Sequence, residues 1–487
     1  MTKCDYEKSY TNIVTGEEIN FKCYEDAHES NKCKFHLEGY LTDQTREEII
    51  QLFSKRLADA KSKNDNADED VMLQCIGYIL PTISLLDEDK EELSISIDFA
   101  YAEFKEKIDF SKILFKKEIS FYNSKFHDSV SFTFSEFNEP VFFSFAKFLS
   151  TSNSFQYADF GELVDFTQAT LTNVKFKEAI FSDVLFVECE FSDETSFWNV
   201  NFSKDAIFKN AKFLGTVDFS ESKFDSVAEF ENTRFNDYAN FSKVLFEEEK
   251  TTFNGNMSNV SFLDADIKRI KFGNRISWEQ VENSETKGEN DKSSKRRKNT
   301  DFKIYDERLL EENDENQINL ESIKNVYRDL RDNFDQNLRY DTAGEFFVRE
   351  MELNRKYHDN RQSKKFIVVK KFLLLRVIFS IYWWYNILAQ YGQSYYRPIY
   401  FAIPIISVGT FLLLGESMEE GAVIGKQIFY DGSLQTAFTR SLSAFIPFFT
   451  FTQTLTSTDY MLRLLLLPIS ITFFIALKRK MERKLRH

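Results

Sequence analysis

The first 40 residues hold the side chains with the clearest chemistry, three cysteines and two histidines. Cys33 and His36 have a spacing typical of one half of a zinc site, and Cys23 with Cys4 or His28 could complete a tetrahedron around the metal. Without a metal, the same residues would be thiols and surface histidines in a loop. Because no carboxylate is placed as a base, the expected zinc is structural rather than catalytic.

A second polar pattern lies in residues 441–458, a stretch without charged side chains. From residue 450 to residue 458 every second position is threonine, which is the period of a β-strand. The pattern fits either a threonine-lined constriction in a membrane or a polar segment that re-enters or lies on the outer face. The candidate pore-lining residues are Thr450, Thr452, Thr454 and Thr456, and Thr458 continues the alternation.

The sequence offers no nucleophile paired with a base, no phosphate-binding loop and no cluster of carboxylates. We therefore expect that the protein is not an enzyme. The chain has five cysteines and begins without an apolar segment of the signal-peptide kind, which favours a reducing, cytoplasmic compartment.

The element that must position these residues is a phenylalanine repeat between Phe99 and Phe272. Most of its steps are five or six residues long, and a small or β-branched residue stands two positions before most phenylalanines. A five-residue step turns each new side chain about 140° around a helix, so no apolar helix face can form. On one flat strand, odd steps would place successive rings on opposite faces.

The pattern closes if each small-x-Phe unit is a three-residue strand and the remaining residues turn a corner. Four such sides make a coil of roughly 20 to 22 residues, and stacked coils then lie about 4.8 Å apart. The repeat is long enough for about eight coils, with phenylalanine stacked on phenylalanine inside.

This repeat resembles the pentapeptide-repeat family, most strictly in the run Phe166, Leu171, Phe176, Phe181, Phe186 and Phe191. The resemblance covers about the middle third of the chain and implies a right-handed, four-sided β-helix. Many membrane-anchored members are also similar near the N-terminus, where they carry a Cys-x-x-His string. The predicted fold class is β plus α, a right-handed quadrilateral β-helix with an N-terminal cap, a helical hairpin and C-terminal transmembrane helices.

Composition divides the chain into eight predicted segments. A cap is expected because an open β-helix end exposes strand edges, and the charge-rich linker has too few apolar residues to fold. The segments are a Cys/His segment (1–40), a capping helix and strand (41–95), the β-helix (96–275), a disordered linker (276–315), a helical hairpin (316–360), an interfacial helix (361–397), a two-helix membrane domain (398–477) and a basic cytoplasmic tail (478–487).

The hairpin is similar to a tetratricopeptide unit in the offsets of Tyr327, Leu330 and Phe334 from Ala343 and Phe347. It departs from that motif at Arg331, where the motif has glycine, and at Glu350, where it has a small residue. One such unit cannot bury its own apolar face. We expect it to dock on the β-helix, on the membrane segment or on a second copy.

Charge separates an acidic body from a basic tail. The net charge is −15, whereas the chain from Arg361 onward has sixteen Lys or Arg and six Asp or Glu. This division argues against nucleic acid as a partner and favours a lipid membrane. Basic residues flank both ends of the tail and the 416–431 loop is acidic, so we expect a multi-pass protein of the cell membrane with both termini and the β-helix in the cytoplasm.

Two topologies fit the tail. In the first, helices near 398–415 and 460–477 span the membrane and 434–458 dips between them. In the second, 441–458 spans and the last segment lies at the interface. The first arrangement resembles the two-helix, pore-loop module of potassium channels. It departs from that module because no glycine follows Gly432, whereas the potassium filter is a Thr-Val-Gly-Tyr-Gly loop.

The leading functional prediction is a membrane-anchored cytoplasmic interaction scaffold with an unknown protein partner, assembled as a homo-oligomer. The first alternative is an ion channel-like transport protein of unknown selectivity. The second follows from soluble pentapeptide-repeat proteins that imitate DNA with acidic faces and bind topoisomerase; here lysines such as Lys105 and Lys125 interrupt the acidic rows. A structural zinc is the one cofactor that the sequence suggests.

Overall fold

The computed structural model forms two compact units, Met1–Val326 and Tyr327–His487. The residues that the structure describes are 3–11, 18–27, 31–37, 43–66, 71–86, 91–247, 250–278, 303–312, 319–363, 381–423, 434–445 and 456–485.

The first unit is built on a β-solenoid of about nine turns. Very short strands stack in parallel into four sheets, one of ten strands and three of eight, and each sheet forms one face of the solenoid. The predicted fold class is thereby confirmed. The strands are mostly two residues long rather than the predicted three.

The strands recur on each face in chain order. Face 1 contains Met72–Gln74, Ser96–Asp98, Ile119–Ser120, Val141–Phe142, Val164–Asp165, Val184–Leu185, Ala206–Ile207, Ala228–Glu231, Thr252–Asn254 and Lys271–Phe272. Face 2 contains Ile79–Leu80, Glu103–Phe104, Lys125–Phe126, Lys147–Phe148, Thr170–Thr172, Glu190–Ser192, Lys212–Phe213 and Arg234–Phe235. Face 3 contains Ile108–Asp109, Val130–Ser131, Asn153–Ser154, Val174–Lys175, Thr195–Ser196, Val217–Asp218, Ala239–Asn240 and Val260–Ser261. Face 4 contains Glu92–Leu93, Leu114–Phe115, Glu136–Phe137, Asp159–Phe160, Ile180–Phe181, Asn201–Phe202, Lys223–Phe224 and Leu245–Phe246.

The interior is a set of phenylalanine stacks. Phe143 lies between Phe121 and Phe166, with ring centroids 5.0 Å and 4.8 Å away and nearly parallel planes. These rings are completely buried. Burial of one such side chain contributes about 2 to 3 kcal/mol. Each stacked ring therefore adds to the apolar burial of the solenoid.

The alternation of five- and six-residue steps follows from two kinds of corner. The tight kind of corner takes a five-residue step: Ala102 N–H donates to the carbonyl of Phe99 at 2.9 Å, and Tyr101 between them has φ 59°. A turn of this type requires a positive φ at its third residue. Ser124 closes the same turn on Phe121 at 3.1 Å. The six-residue steps make the wider corners.

The solenoid begins one turn before the predicted start at residue 96. Met72–Gln74 pairs with Ser96–Asp98, and Ile79–Leu80 pairs with Glu103–Phe104. The inward residues of this turn include Leu73 and Leu80 rather than phenylalanine, so the repeat is not visible in the sequence. Helix α1, Asp43–Asn66, covers the end of the solenoid and places Phe53 6.2 Å from Phe99.

Part of the predicted disordered linker is ordered, and this corrects the sequence analysis. Helix α2, Tyr305–Glu312, packs on the C-terminal end of the solenoid, where Tyr305 stacks on Tyr238 at 4.9 Å and Arg308 donates to the carbonyl of Ser258. Ile304 is buried. Few residues make these contacts, and charged residues surround them in the sequence, so the segment shows no apolar pattern that would predict an ordered helix. Residues 279–302 lie outside the described part.

The docking of α2 is expected to weaken as the pH rises. Burial raises the pKa of Asp306 from 3.8 to about 6, so between these values the docked helix holds a proton that the released helix has lost. The helix is therefore most firmly docked at low pH, and it loses up to about 3 kcal/mol by pH 6. Hydrogen exchange in α2, corrected for intrinsic rates, should be slower at pH 5 than at pH 7.5. Asp306→Asn should remove this difference, whereas the exposed Asp264→Asn should retain it; equal protection at both pH values in the unmodified chain would contradict the prediction.

Helices α3, Leu320–Gln336, and α4, Tyr340–Ser363, form a helical hairpin. The boundary between the two units falls within α3, after Val326, so the rest of the hairpin belongs to the second unit. The two departures from the tetratricopeptide pattern are partners: Glu350 is buried and accepts hydrogen bonds from Arg331 and, at 3.1 Å, from Arg328. A small residue and a glycine are therefore replaced by an ion pair.

The described part of the second unit contains four further helices: α5, Ile381–Ala389; α6, Tyr396–Val423; α7, Leu434–Phe445; and α8, Ser457–Leu485. Helices α6, α7 and α8 share an apolar core that includes Ile406, Ala437 and Leu466. The Arg479 guanidinium on α8 lies 4.8 Å from the ring of Phe347 on α4. Of the three predicted docking surfaces for the hairpin, the structure therefore shows a contact with the membrane segment.

Candidate metal centre and membrane helices

Two antiparallel strands, Glu7–Thr11 and Glu18–Lys22, bring Cys4 and Cys23 together. Cys4 N–H donates to the carbonyl of Glu25 at 2.9 Å, and Cys23 N–H donates to the carbonyl of Tyr6 at 3.0 Å. The two cysteines are therefore neighbours across the ends of this hairpin. The long spacing between them in the sequence is the length of the hairpin.

Cys33 and His36 come from one tight turn. The 3-10 helix Lys34–His36 follows Cys33 directly, and His36 N–H donates to the carbonyl of Cys33 at 3.0 Å. This turn directs both side chains toward the hairpin. The neighbouring ring of Phe35 stacks on Tyr78 of the first solenoid turn at 4.2 Å.

The ligand atoms of Cys4, Cys23, Cys33 and His36 all lie within 4.8 Å of one another, and all four residues are buried. The Cys23 and Cys33 sulfurs are 3.8 Å apart, and His36 Nδ1 is 3.5 Å from Cys4 Sγ and 3.1 Å from Cys33 Sγ. Zinc–sulfur bonds of about 2.3 Å in a tetrahedron place two sulfurs about 3.8 Å apart. Three thiols and one imidazole at these separations fit zinc. His28 lies outside the described residues.

A hydrogen bond fixes the orientation of His36. Its Nε2 lies 2.9 Å from the carbonyl of Ile76, which can only accept, so Nε2 carries the proton and Nδ1 is left with a free lone pair. The ring of Tyr6 stacks on the imidazole at 3.9 Å. Ile76 belongs to the first turn of the solenoid. The candidate centre thus joins the N-terminal segment to the solenoid.

The thiols are electronically unequal. A hydrogen bond from the Cys33 thiol holds the pKa of the Cys23 thiol well below its usual range, whereas the same bond and burial raise the pKa of Cys33. One thiolate is thus favoured before any metal binds. A bound metal would favour the thiolate form of the others.

Among the predicted pore-lining residues, Thr456 is described and the structure places it at the start of α8. Its hydroxyl donates to Asp459 Oδ2 at 3.0 Å, and its backbone N–H donates to the same oxygen at 2.9 Å. This is the arrangement of a helix N-cap. Thr450, Thr452 and Thr454 lie outside the described residues.

Arg440 on α7 pairs with the same carboxylate, a contact that the sequence analysis missed. Asp459 is almost completely buried. Asp459→Asn should cost about 3 kcal/mol, because it leaves the Arg440 charge half-buried without its partner. Thermal unfolding of the detergent-solubilised chain would measure the loss. The double variant Arg440→Gln/Asp459→Asn should recover part of it, and an unchanged unfolding midpoint for the single variant would contradict the prediction.

Two described helical stretches are long and apolar enough to cross a membrane, Tyr396–Gly415 and Ser457–Met481. They are the helices of the first predicted topology. Only a third of the 18 most apolar consecutive residues in each stretch is buried within the protein. Large apolar side chains face outward, among them Phe411 at 75% exposed and Leu464 at 74%.

An open groove of about 1600 Å³ runs along face 2 of the solenoid. Charged strand residues of both signs line it, and the Lys212 ammonium lies 3.7 Å from Glu190. Amide side chains line the adjacent corner, where Asn232 donates to Asn210 at 3.3 Å. The groove is therefore polar and rich in both donors and acceptors.

Comparison with known proteins identifies the repeat. A search of curated proteins found no match to this chain. The family model described as Pentapeptide repeats (9 copies) matches residues 166–212 and 208–255. These residues lie within the solenoid and include the stacked rings from Phe166 to Phe253. The solenoid is therefore a pentapeptide-repeat solenoid.

Proposed function

We propose that the protein is a membrane-anchored scaffold, in which the pentapeptide-repeat solenoid binds a protein partner and α6 and α8 form the anchor. One observation carries this proposal: the two apolar helices turn large side chains such as Phe411 and Leu464 outward instead of burying them. A water-soluble protein rarely exposes so much contiguous apolar surface. Lipid is the environment in which these helices lose nothing by being exposed.

The candidate centre would contribute a structural zinc. Cys4, Cys23, Cys33 and His36 would hold the metal, which supplies no chemistry here beyond crosslinking the segment. The residues around the centre, Ile76 and Tyr78, belong to the first solenoid turn. The crosslinked segment would thereby stay packed against that end of the solenoid, where open strand edges favour aggregation.

The groove on face 2 is the proposed partner surface. It carries charges of both signs, as in Glu190, Lys212 and Arg234, and its corner residues present amides. Such a surface matches an extended polypeptide with both charge signs better than the single-sign backbone of a nucleic acid. We propose no enzymatic activity.

A fractionation experiment tests the anchor. The full chain and a chain ending at Asn360 are expressed in the same cells, and the membranes are washed with alkaline carbonate. The full chain should stay in the washed membranes and the shortened chain should be soluble. A full chain released by the wash would overturn the anchor.

Proximity labelling tests the scaffold. A labelling enzyme fused to the N-terminus should mark a set of proteins that disappears when the groove residue is changed by Arg234→Glu. Lys175→Glu makes the same charge change on face 3 and should leave the set intact. Identical sets for the two variants would exclude the groove as the partner surface.

The channel-like alternative and the DNA-mimicking alternative stay predictions of the sequence. The first depends on residues 446–455, which lie outside the described part. Lysines paired with acidic residues weaken the second, as in the pair of Lys125 with Glu103 at 2.8 Å. Neither alternative gains a specific observation from the described residues.

A further inference from the structure

A cavity of about 650 Å³ lies within the second unit, between the helical hairpin and the membrane helices. The turn between α3 and α4, the turn after α5 and the end of α8 form its walls. The residues that carry the argument are Arg339, Asp341, Gln393, Arg479 and Lys480. Three of these side chains are cationic and one is anionic, so the cavity has an excess of positive charge.

The cations are held in place by neighbouring groups. The Arg479 guanidinium donates to the carbonyl of Tyr391 at 2.7 Å, and the Lys480 ammonium donates to the hydroxyl of Tyr395 at 3.1 Å. The Arg339 guanidinium lies 4.6 Å from the ring of Phe334. Side chains that are already ordered lose little entropy when they bind an anion.

The backbone of the cavity also favours an anion. The first turn of α4 lines one wall, and N–H groups in a first helical turn have no acceptor within the helix. Gly392 lines the opposite wall with φ 82°, and a Cβ atom there would lie 2.6 Å from the Tyr385 hydroxyl and 3.1 Å from Arg479 Nη1. A glycine at this position therefore leaves the guanidinium accessible.

The cavity lies at one end of both candidate spans. The uncharged run of α8 ends at Leu477, directly before the basic residues 478–480, and α6 begins at Tyr396, whose ring lies 6.0 Å from the Lys480 ammonium. Tyrosines cluster at this end of the spans. Tyr396 and Tyr400 are exposed, and the ring of Tyr395 lies 4.2 Å from the Lys480 ammonium. Tyrosine is enriched where a membrane helix leaves the hydrocarbon region, so this is the depth of the lipid headgroups.

We infer that the cavity between α4, α8 and Gly392 binds the phosphate of an anionic phospholipid headgroup. The inference rests on the proposed membrane anchor. Arg339 and Lys480 would contact the phosphate, and Arg479 would be held behind it by Tyr391 and Phe347. Occupancy would link the position of the hairpin to the composition of the membrane.

Native mass spectrometry of the full chain in detergent tests this inference. The chain is incubated with equal amounts of phosphatidylglycerol and phosphatidylcholine, and the retained lipids are counted. We expect retention of one phosphatidylglycerol. The variant Arg339→Gln/Lys480→Gln should weaken its binding by about fivefold for each cation removed.

The control variant Arg397→Gln/Lys478→Gln removes the same charge from exposed positions that do not line the cavity. It should retain the lipid as the unmodified chain does. Equal loss in both variants would overturn the site, because it would show attraction by general charge. Equal retention of the two lipids by the unmodified chain would also overturn it. Thermal unfolding in lipid-free detergent verifies that both variants are folded.

A second arm separates lipid from free phosphate. Inorganic phosphate at millimolar concentration is added before the lipids, and it should not displace phosphatidylglycerol. Displacement would assign the cavity to free phosphate and overturn the lipid assignment. Because this assay is done in detergent, it does not depend on insertion into a bilayer. A failed anchor in the carbonate wash and a failed lipid site are therefore distinguishable.

Discussion

The purified full chain is expected to carry one zinc ion, and the variant Cys33→Ala is expected to carry none. The Cys33 sulfur lies 3.8 Å from the Cys23 sulfur and 3.1 Å from His36 Nδ1, so its loss leaves only three of the four candidate ligands. Elemental analysis of the purified protein measures the metal. Loss of zinc should also raise hydrogen exchange in residues 3–11 and 18–27 by about 100-fold or more, because the segment's burial depends on the crosslink.

The matched control is Cys189→Ala. Cys189 is completely buried in the solenoid, where its thiol donates to the carbonyl of Phe166 at 2.8 Å. This variant loses a cysteine of equal burial but should keep its zinc. A Cys33→Ala protein with one zinc per chain would show that the cluster is not the metal site. Removal of zinc by a chelator should reproduce the Cys33→Ala exchange pattern in the unmodified chain.

Phe186→Ala is expected to destabilise the solenoid by about 3 to 5 kcal/mol. Phe186 is completely buried and stacks on Phe166 and on Phe208, each 5.0 Å away. The lost ring leaves a cavity that the neighbouring strands cannot fill, because backbone hydrogen bonds fix the distance between turns. Urea unfolding of the solubilised chain, followed by hydrogen exchange in the solenoid strands, measures the effect.

The control for Phe186 is Phe134→Ala. Phe134 is 52% exposed at a corner and stacks only on Tyr157 among the described rings. Its removal should cost less than about 1 kcal/mol. In a solenoid each turn contacts its neighbours, so the loss from Phe186→Ala should be largest in the turns beside it. Similar costs for the two variants would contradict a core made of stacked rings.

The sequence by itself determined the solenoid, because a stacked coil repeats the same local geometry in every turn. Each turn needs a large apolar side chain at the same place, as at Phe143 and Phe166, so the period can be recognised in the sequence. The candidate ligand types near the N-terminus and the apolar length of the two candidate spans are likewise local properties. Segment length and residue type decide both properties, and no tertiary contact is needed to recognise them.

Only the tertiary structure decided how distant segments meet. The first solenoid turn lacks phenylalanine at Leu73 and Leu80, and its place depends on strand pairing with the next turn. Helix α2 is ordered by its contact with Tyr238, and Glu350 is explained by Arg331 across the hairpin. Thr456 fits a strand pattern in the sequence but caps α8, because its bonds to Asp459 compete with extended structure. In each case the deciding partner is far away in the sequence or acts through side-chain geometry, which periodicity does not contain.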